Sequence, residues 1–350
     1  MNKLNVMVFF GGCSSEYSVS LASAFAVLSN LNPAICNPIP IGITKQGKWY
    51  YFQGEFTKIK QDIWANSDDC IPAMLSLEPK EHTLFLFEKS GVRSISVDVA
   101  FPVLHGKNGE DGTIQGAIAL AGIPLAGCGV LSSALCMDKD RAHKMVSNAG
   151  VCTAKAFVAD KTTSKQKLLE LAETVGYPLF VKPVKAGSSY GITKVFEDKA
   201  LHKAIDLAFQ YDEHILIEEN ITGFEVGCAI LGTDALCIGE VDEIELSADG
   251  FFDFTEKYTL NTSQIHVPAR ISQAKADEVK ETAQRIYRAL GCSGFARVDL
   301  FLTPSGEIVF NEVNTIPGFT EHSRFPGMMR AAGYSFQEIL DRIIKQAVDA

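Results

Sequence analysis

Two short stretches near the carboxyl end carry side chains that could hold a cation together. Phe295-Ala296-Arg297-Val298-Asp299-Leu300-Phe301-Leu302-Thr303 and Ile308-Val309-Phe310-Asn311-Glu312-Val313-Asn314 are apolar, β-rich runs on either side of Pro304-Ser305-Gly306-Glu307. Such runs around a Pro-Ser-Gly turn predict a hairpin. A four-residue loop, 304–307, sets Thr303 opposite Ile308, Asp299 opposite Glu312 and Arg297 opposite Asn314. Side chains alternate faces along a strand, so these four polar groups share one face at the open end of the ribbon. Two carboxylates and an amide oxygen suit a hard ion such as Mg²⁺, which keeps waters and phosphates as its other ligands. A one-residue slip would separate Asp299 from Glu312 across the sheet. A solvated hairpin end fits the same residues, so register is decisive.

Four other segments could do chemistry. Phe180-Val181-Lys182-Pro183 ends a buried strand and runs into Gly187-Ser188-Ser189-Tyr190-Gly191. Backbone N–H groups in such a loop can approach phosphate oxygens while lysine adds a point charge. It is neither a P-loop nor a dinucleotide fingerprint, and a plain surface turn fits equally well. Gly11-Gly12-Cys13-Ser14-Ser15-Glu16 joins a strand to a helix start. There Glu16 either serves an anion-favouring helix end or is simply a favourable first-turn acid. His105-Gly106-Lys107-Asn108-Gly109-Glu110-Asp111-Gly112 follows a strand, and ligands in α/β proteins gather at strand carboxyl ends. Phe251-Phe252-Asp253-Phe254 with Thr255-Glu256-Lys257-Tyr258 is either core or the floor of a closing lid; residues 187–191 and 252–263 are the lid candidates.

The elements that must position these groups alternate apolar runs with helical periodicity, which predicts an α/β fold. Strands are expected at Leu4–Phe10, Val97–Leu104, Leu179–Lys182 and Ile215–Glu219, and a helix at Ser18–Leu28. Ser164 caps a helix that stops at Gly176, and another helix runs from Ser272 to Leu290. Ser335-Phe336-Gln337-Glu338 is a capping box for the last helix. The 350 residues allow two or three domains. A net charge of −10 argues against a nucleic-acid surface. No apolar run approaches the roughly 20 residues that span a bilayer, and the amino terminus lacks a secretory pattern. Nine scattered cysteines without a C-x-x-C pair predict reduced thiols of a cytoplasmic protein.

Taken together in their order and spacing, these segments resemble the D-alanine–D-alanine ligases of the ATP-grasp superfamily, including the vancomycin-resistance ligases. The motifs are Gly11-Gly12 with Glu16, Leu104-His105-Gly106 with Gly109-Glu110-Asp111-Gly112, and Ser133 to Lys139. They continue with Lys182-Pro183 and Gly187-Ser188-Ser189, Glu218 with Glu225, Lys257-Tyr258, Arg297-Val298-Asp299, and Asn311 to Thr320. The likeness covers nearly the whole chain. It implies a three-domain ATP-grasp α/β architecture: an N-terminal parallel-sheet domain (1–126), a central α+β domain (127–224) and a C-terminal α+β domain (225–350).

By that resemblance, Lys139, Lys182 and Ser189 contact ATP, Glu218, Ile221 and Glu225 hold its adenosine, and Lys257 reaches the γ-phosphate. Asp299, Glu312 and Asn314 ligate two Mg²⁺ ions, for which Mn²⁺ can substitute, and Arg297 stabilises an oxyanion. Glu16 grips the first D-alanine's ammonium, linked to Ser188 and Tyr258, and His105 positions that substrate. Gly318 and Ser323 hold the second substrate. The implied product is a dipeptide for peptidoglycan precursors, made by a homodimer acting on small D-amino acids, with no nucleic acid and no membrane insertion. Phe252 and its aromatic neighbours resemble the VanG and VanC types, which use D-serine, and Arg324 is typical of the resistance ligases. Together they favour D-serine as second substrate, with Arg324 bonding near its hydroxymethyl group directly or through water; D-alanine is the alternative, D-lactate ranks third because Lys257-Tyr258 is kept, and another ATP-grasp carboxylate–amine ligase is the remaining reading.

Overall fold

A computed structural model describes residues 3–66, 68–187, 190–246 and 263–349. Three sheets organise them. The first has seven strands in the order Gly91–Ser96, Thr83–Glu88, Cys70–Leu75, Trp49–Phe52, Cys36–Ile43, Leu4–Gly11 and Val99–Pro102. Leu4–Gly11 pairs parallel with both Cys36–Ile43 and Val99–Pro102. The four outer strands continue antiparallel. The expected parallel sheet is therefore parallel at its centre and mixed as a whole. Met7, Phe9 and Phe10 are fully buried, because a central strand covered on both faces has no polar side to offer.

The second sheet is antiparallel, in the order Thr193–Val195, Leu179–Pro183, His214–Glu219 and Ala156–Asp160. Helices Lys165–Val175 and Asp198–Ala208 cover it with Leu168, Ala172, Leu201 and Ile205. The first of these begins and ends as its sequence dictates: the Ser164 hydroxyl accepts the Lys167 N–H, and Gly176 is the C-cap.

The third sheet runs Ser263–His266, Asp242–Leu246, Phe224–Leu231, Phe295–Leu302, Ile308–Asn314 and Cys152–Thr153, with Cys237–Ile238 paired beside Phe224–Leu231. Helix Gln273–Ala289 packs Val279, Ala283 and Ile286 against it. The last helix, Phe336–Asp349, opens on the expected capping box: Ser335 N–H donates to Glu338, and Glu338 N–H donates to the Ser335 hydroxyl. Its Ile339, Leu340 and Ile343 share one core with Leu21, Val27 and Phe101 of the first sheet's layer, so the two ends of the chain are packed together.

The hairpin differs from its expected form at the turn and agrees with it at the open end. Gly306 donates to the Thr303 carbonyl at 2.9 Å and adopts φ +84°, and Thr303 N–H donates to Glu307. This three-residue loop with a left-handed glycine replaces the four-residue loop, since glycine takes that conformation without cost. The pairing near the turn is Leu302↔Ile308 and Leu300↔Phe310. A bulge then restores the expected register, giving Asp299↔Glu312 and Arg297↔Asn314. Asn311 is the extra residue, and bulges of this kind redirect side chains.

Among the described residues no helix is long and apolar enough to cross a membrane. All nine cysteines are free, five of them buried.

Candidate active site

A cleft of 830 Å³ lies between the second and third sheets. Lys139, Lys182, Glu218, Ile221, Glu225 and Glu312, all expected site residues, line it. Lys182 and Glu218 stand on adjacent antiparallel strands, offset by two residues on one face, which brings their side chains within reach. The Lys182 ammonium donates to Glu218 Oε1, and both groups are buried. Glu218 Oε2 has no hydrogen-bond partner among the described residues. Burial alone would raise the Glu218 pKa; the charges of Lys182, His143 and Lys139 outweigh it and hold the carboxyl below its usual range. Lys139 begins helix Lys139–Asn148, whose Asp138 cap accepts the Arg141 N–H, and its Nζ donates to the Ala186 carbonyl at 2.7 Å. The cleft therefore has fixed positive charge at one wall and an unsatisfied carboxylate oxygen beside it, a fit for a phosphorylated, donor-bearing ligand.

Glu312 carries the cleft toward the polar face of the ribbon. There Arg297 grips Asp299 through two bonds, Nε to Oδ1 at 2.8 Å and Nη2 to Oδ2 at 2.6 Å. Asn314 Nδ2 donates to the same Oδ2 at 2.9 Å. Asp299 is 1% exposed, so these bonds act in a medium that screens them little. Arg324 approaches from the start of helix Arg324–Ala331. It is 7% exposed, binds Asp242 through Nε and Nη2 at 2.7 and 2.8 Å, donates to Glu225 at 2.6 Å, and reaches Asp299 at 3.3 Å. A Cβ at Gly227 would stand 2.5 Å from Arg324 Nη2 and 2.7 Å from Asp242 Oδ1, so only glycine lets this pair lie on the strand.

The donor set fits a divalent ion by type and by face. Among the described residues no three His, Cys, Asp or Glu side chains could hold a metal; two carboxylates and an amide would be the protein's share. Mg²⁺ tolerates that share when phosphates and water complete its shell. Asp299 would have to share oxygens that Arg297 and Asn314 already use.

Opposite the ribbon stands the loop region of the first sheet. Ser14 Oγ donates to the His105 carbonyl and accepts the Glu16 N–H. A Cβ at Gly106, which has φ +71°, would fall 2.3 Å from Glu16 Oε2, and one at Gly187 would fall 2.6 Å from it. The Glu16 carboxylate is thus seated between two bare Cα atoms. His105 is buried, with Nδ1 2.8 Å from the Ile316 carbonyl and Nε2 3.2 Å from Ser23 Oγ. A carbonyl only accepts, so Nδ1 carries the proton and Ser23 donates to Nε2. Ser23 also accepts the Phe319 N–H at 3.1 Å. Both ring nitrogens of His105 are therefore engaged by the protein, and the ring supports the 316–319 segment; its expected part in positioning the first substrate would run through that segment.

Burial, with a smaller push from Arg297, lowers the His105 pKa from 6.5 to about 4, against the pull of the Ile316 carbonyl. An unfolded histidine takes up a proton between those values and the folded one does not, so stability is lost as pH falls through that window. Lowering the pH from 7 to 5 should cost about 2 kcal/mol through this group. In denaturant titrations His105→Gln should be less sensitive to that change by the same amount; an equal drop in both proteins would remove His105 as its source.

Several functional neighbours were not assigned roles from sequence. Asp242 pairs with Arg324, and Glu110 and Ser23 hold the loop after Asn314. His143 contacts the Asn311 carbonyl at 3.2 Å. Only Glu110 lay inside a motif noted for its composition. A second cavity, 660 Å³, is lined by Ser323, Arg324, His322 and Gln264. Ser323 Oγ bonds Thr320 and packs 3.0 Å from the Cβ position of Gly318. Arg324 is committed to carboxylates through most of its donors, so it shapes and charges this wall. Ser188, Ser189, Phe252, Lys257 and Tyr258 lie outside the described residues.

Comparison with known proteins places this geometry in one family. Residues 5–128 match the model for the D-ala D-ala ligase N-terminus and residues 145–345 the model for its C-terminus. The crystal structure of the VanG D-Ala:D-Ser ligase from Enterococcus faecalis superposes with a TM-score of 0.92 and 53% identity, covering 99% of this chain and 100% of that one. The vancomycin/teicoplanin A-type resistance protein VanA of Enterococcus faecium is 45% identical over 99% of both chains. A D-alanine–D-alanine ligase of Caldicellulosiruptor bescii is 40% identical over 100% of this chain and 96% of its own. The chain belongs to the D-alanine–D-alanine ligase family, with the mixed α/β fold of the ATP-grasp class.

Proposed function

We propose that this protein joins D-alanine to D-serine at the expense of ATP, through a D-alanyl phosphate, to supply a peptidoglycan precursor. The observation that carries the ligase chemistry is the cleft itself, where Lys139, Lys182 and Glu218 face Glu312 at the end of the Arg297–Asp299–Asn314 ribbon. The triphosphate lies along that wall, with the γ-phosphate toward the ribbon. Lysine charges offset the negative charge that develops on the transferring phosphoryl oxygens. Asp299, Glu312 and Asn314 would hold Mg²⁺, which when bound neutralises phosphate charge.

Glu16 anchors the first D-alanine's ammonium and thereby orients its carboxylate toward the γ-phosphorus. A carboxylate oxygen attacks there and ADP leaves. The second substrate's amine then attacks the acyl carbon and phosphate departs. Arg297 faces the oxygen that gains charge in this second step, and is itself held rigid by Asp299. The use of ATP and the scattered, free cysteines support a cytoplasmic reaction.

D-Serine is favoured by the 53% identity to a D-Ala:D-Ser ligase, against 45% for VanA and 40% for a D-Ala–D-Ala ligase. Arg324, which lines the second cavity beside Ser323, also supports it, because a polar wall suits a hydroxymethyl group better than a methyl. The test supplies ATP, Mg²⁺ and D-alanine with D-serine or D-lactate and identifies products by mass. D-Alanyl-D-serine should dominate near neutral pH when D-serine is present. Only D-alanyl-D-alanine, or a D-lactate depsipeptide in preference, would overturn the assignment.

A further inference from the structure

Glu110 has no part in the chemistry just described, yet its two carboxylate oxygens span the two halves of the site. Oε2 accepts the Gly106 N–H at 2.9 Å and Oε1 accepts the Ile316 N–H at 3.0 Å. Gly106 is the residue whose Cα supports the Glu16 carboxylate. Ile316 follows Asn314 by two residues. Ile316 is also held by its carbonyl, which accepts from His105, and Phe319 is tied to Ser23 on helix Tyr17–Asn30. Three side chains of the first sheet's layer thus take hold of the backbone between the ribbon and the second-substrate loop.

We infer that Glu110, with Ser23, is a positioning residue that sets the distance between the first substrate's ammonium anchor and the ribbon where its carboxylate reacts. This inference rests on the ligase function proposed above. A substrate as small as D-alanine cannot bridge a gap that varies. Its ammonium is fixed by Glu16 and its carboxylate must meet the γ-phosphorus beside Asn314, so slack between the two anchors appears directly as lost alignment. Displacements of about 1 Å can cost about 100-fold in rate. Glu110 is partly buried, and burial together with the Glu16 charge raises its pKa, against the two backbone N–H groups that pull it down.

Glu110→Gln keeps the shape but turns an –NH₂ toward one of the two backbone N–H groups, so one bond is lost. Ser23→Ala removes the acceptor of Phe319 and the donor to His105. Steady-state kinetics, binding of a non-hydrolysable ATP analogue with Mg²⁺, and thermal unfolding would be measured on both variants and on their combination. Each single variant should lose about 10- to 100-fold in kcat/KM for the first D-alanine, with analogue affinity unchanged and only a small shift in melting temperature. The combined loss should fall short of the product of the two, since both act on one segment. A folded Glu110→Gln protein with unchanged kcat/KM overturns the inference. So does parallel loss of analogue affinity and melting temperature, which marks a merely structural group. If the unmodified protein releases no ADP in the presence of D-alanine, the ligase function fails first and takes the inference with it.

Discussion

Asp299→Asn should lower D-alanine-dependent ADP release by about 10²- to 10³-fold and raise the Mg²⁺ concentration needed for half-maximal rate. The substitution keeps volume and removes one charge. In the folded protein that charge has two uses. It fixes Arg297 through two short bonds, and it stands opposite Glu312 on the face that would receive the ion. Asparagine has one acceptor oxygen where Asp299 now accepts from Arg297, Asn314 and Arg324. The guanidinium of Arg297 would lose its fixed direction, and the ion would lose a carboxylate. Both losses fall on the charged transition states and neither on the adenosine end, so affinity for ADP without metal should stay near its original value. A variant that turned over at the normal rate and normal Mg²⁺ dependence would show that Asp299 serves the fold alone.

Arg324→Leu should destabilise the protein by about 3–5 kcal/mol, the usual cost of stripping one partner from a buried ion pair. Asp242 is fully buried, and Arg324 supplies its side-chain hydrogen bonds among the described residues. Glu225 and Asp299 lose a counter-charge at the same time. The whole activity should fall, not the D-serine preference alone, because the arginine supports the ribbon as well as the wall of the second cavity. Equilibrium unfolding in urea measures the first effect. Replacing Asp242 as well, by Leu, should recover part of the lost stability, since no unpaired charge is then left from that pair. A double variant less stable than the single one by the full cost of a second independent loss would show that the two groups are not energetically paired.

The ribbon shows how far sequence can lead. Periodicity and a Pro-Ser-Gly turn were enough to place Asp299 opposite Glu312, although the loop is one residue shorter than expected. A left-handed Gly306 shortened the turn and a bulge at Asn311 compensated. Two local irregularities cancelled, and neither has an unambiguous sequence signal. Helix caps were legible for the opposite reason: Ser164, Ser272 and the Ser335–Glu338 box act within three residues of themselves. Asp242 and Glu225, two partners of Arg324, are 82 and 99 residues away, and Glu110 meets Ile316 across 206. Such contacts depend on how separate layers pack, which composition and period do not encode. The resemblance singled out residues that recur as motifs, and six of them, Lys139, Lys182, Glu218, Ile221, Glu225 and Glu312, line one cleft. It did not identify the side chains that hold those motifs in place.

The most direct measurement is anomalous scattering from crystals grown with Mn²⁺ and a non-hydrolysable ATP analogue. Manganese peaks should lie about 2.0–2.3 Å from oxygens of Asp299, Glu312 and Asn314 and from the analogue's terminal phosphates. Manganese bound by phosphates and water alone, with Asp299 still turned onto Arg297 and Glu312 away from the ion, would contradict the assignment.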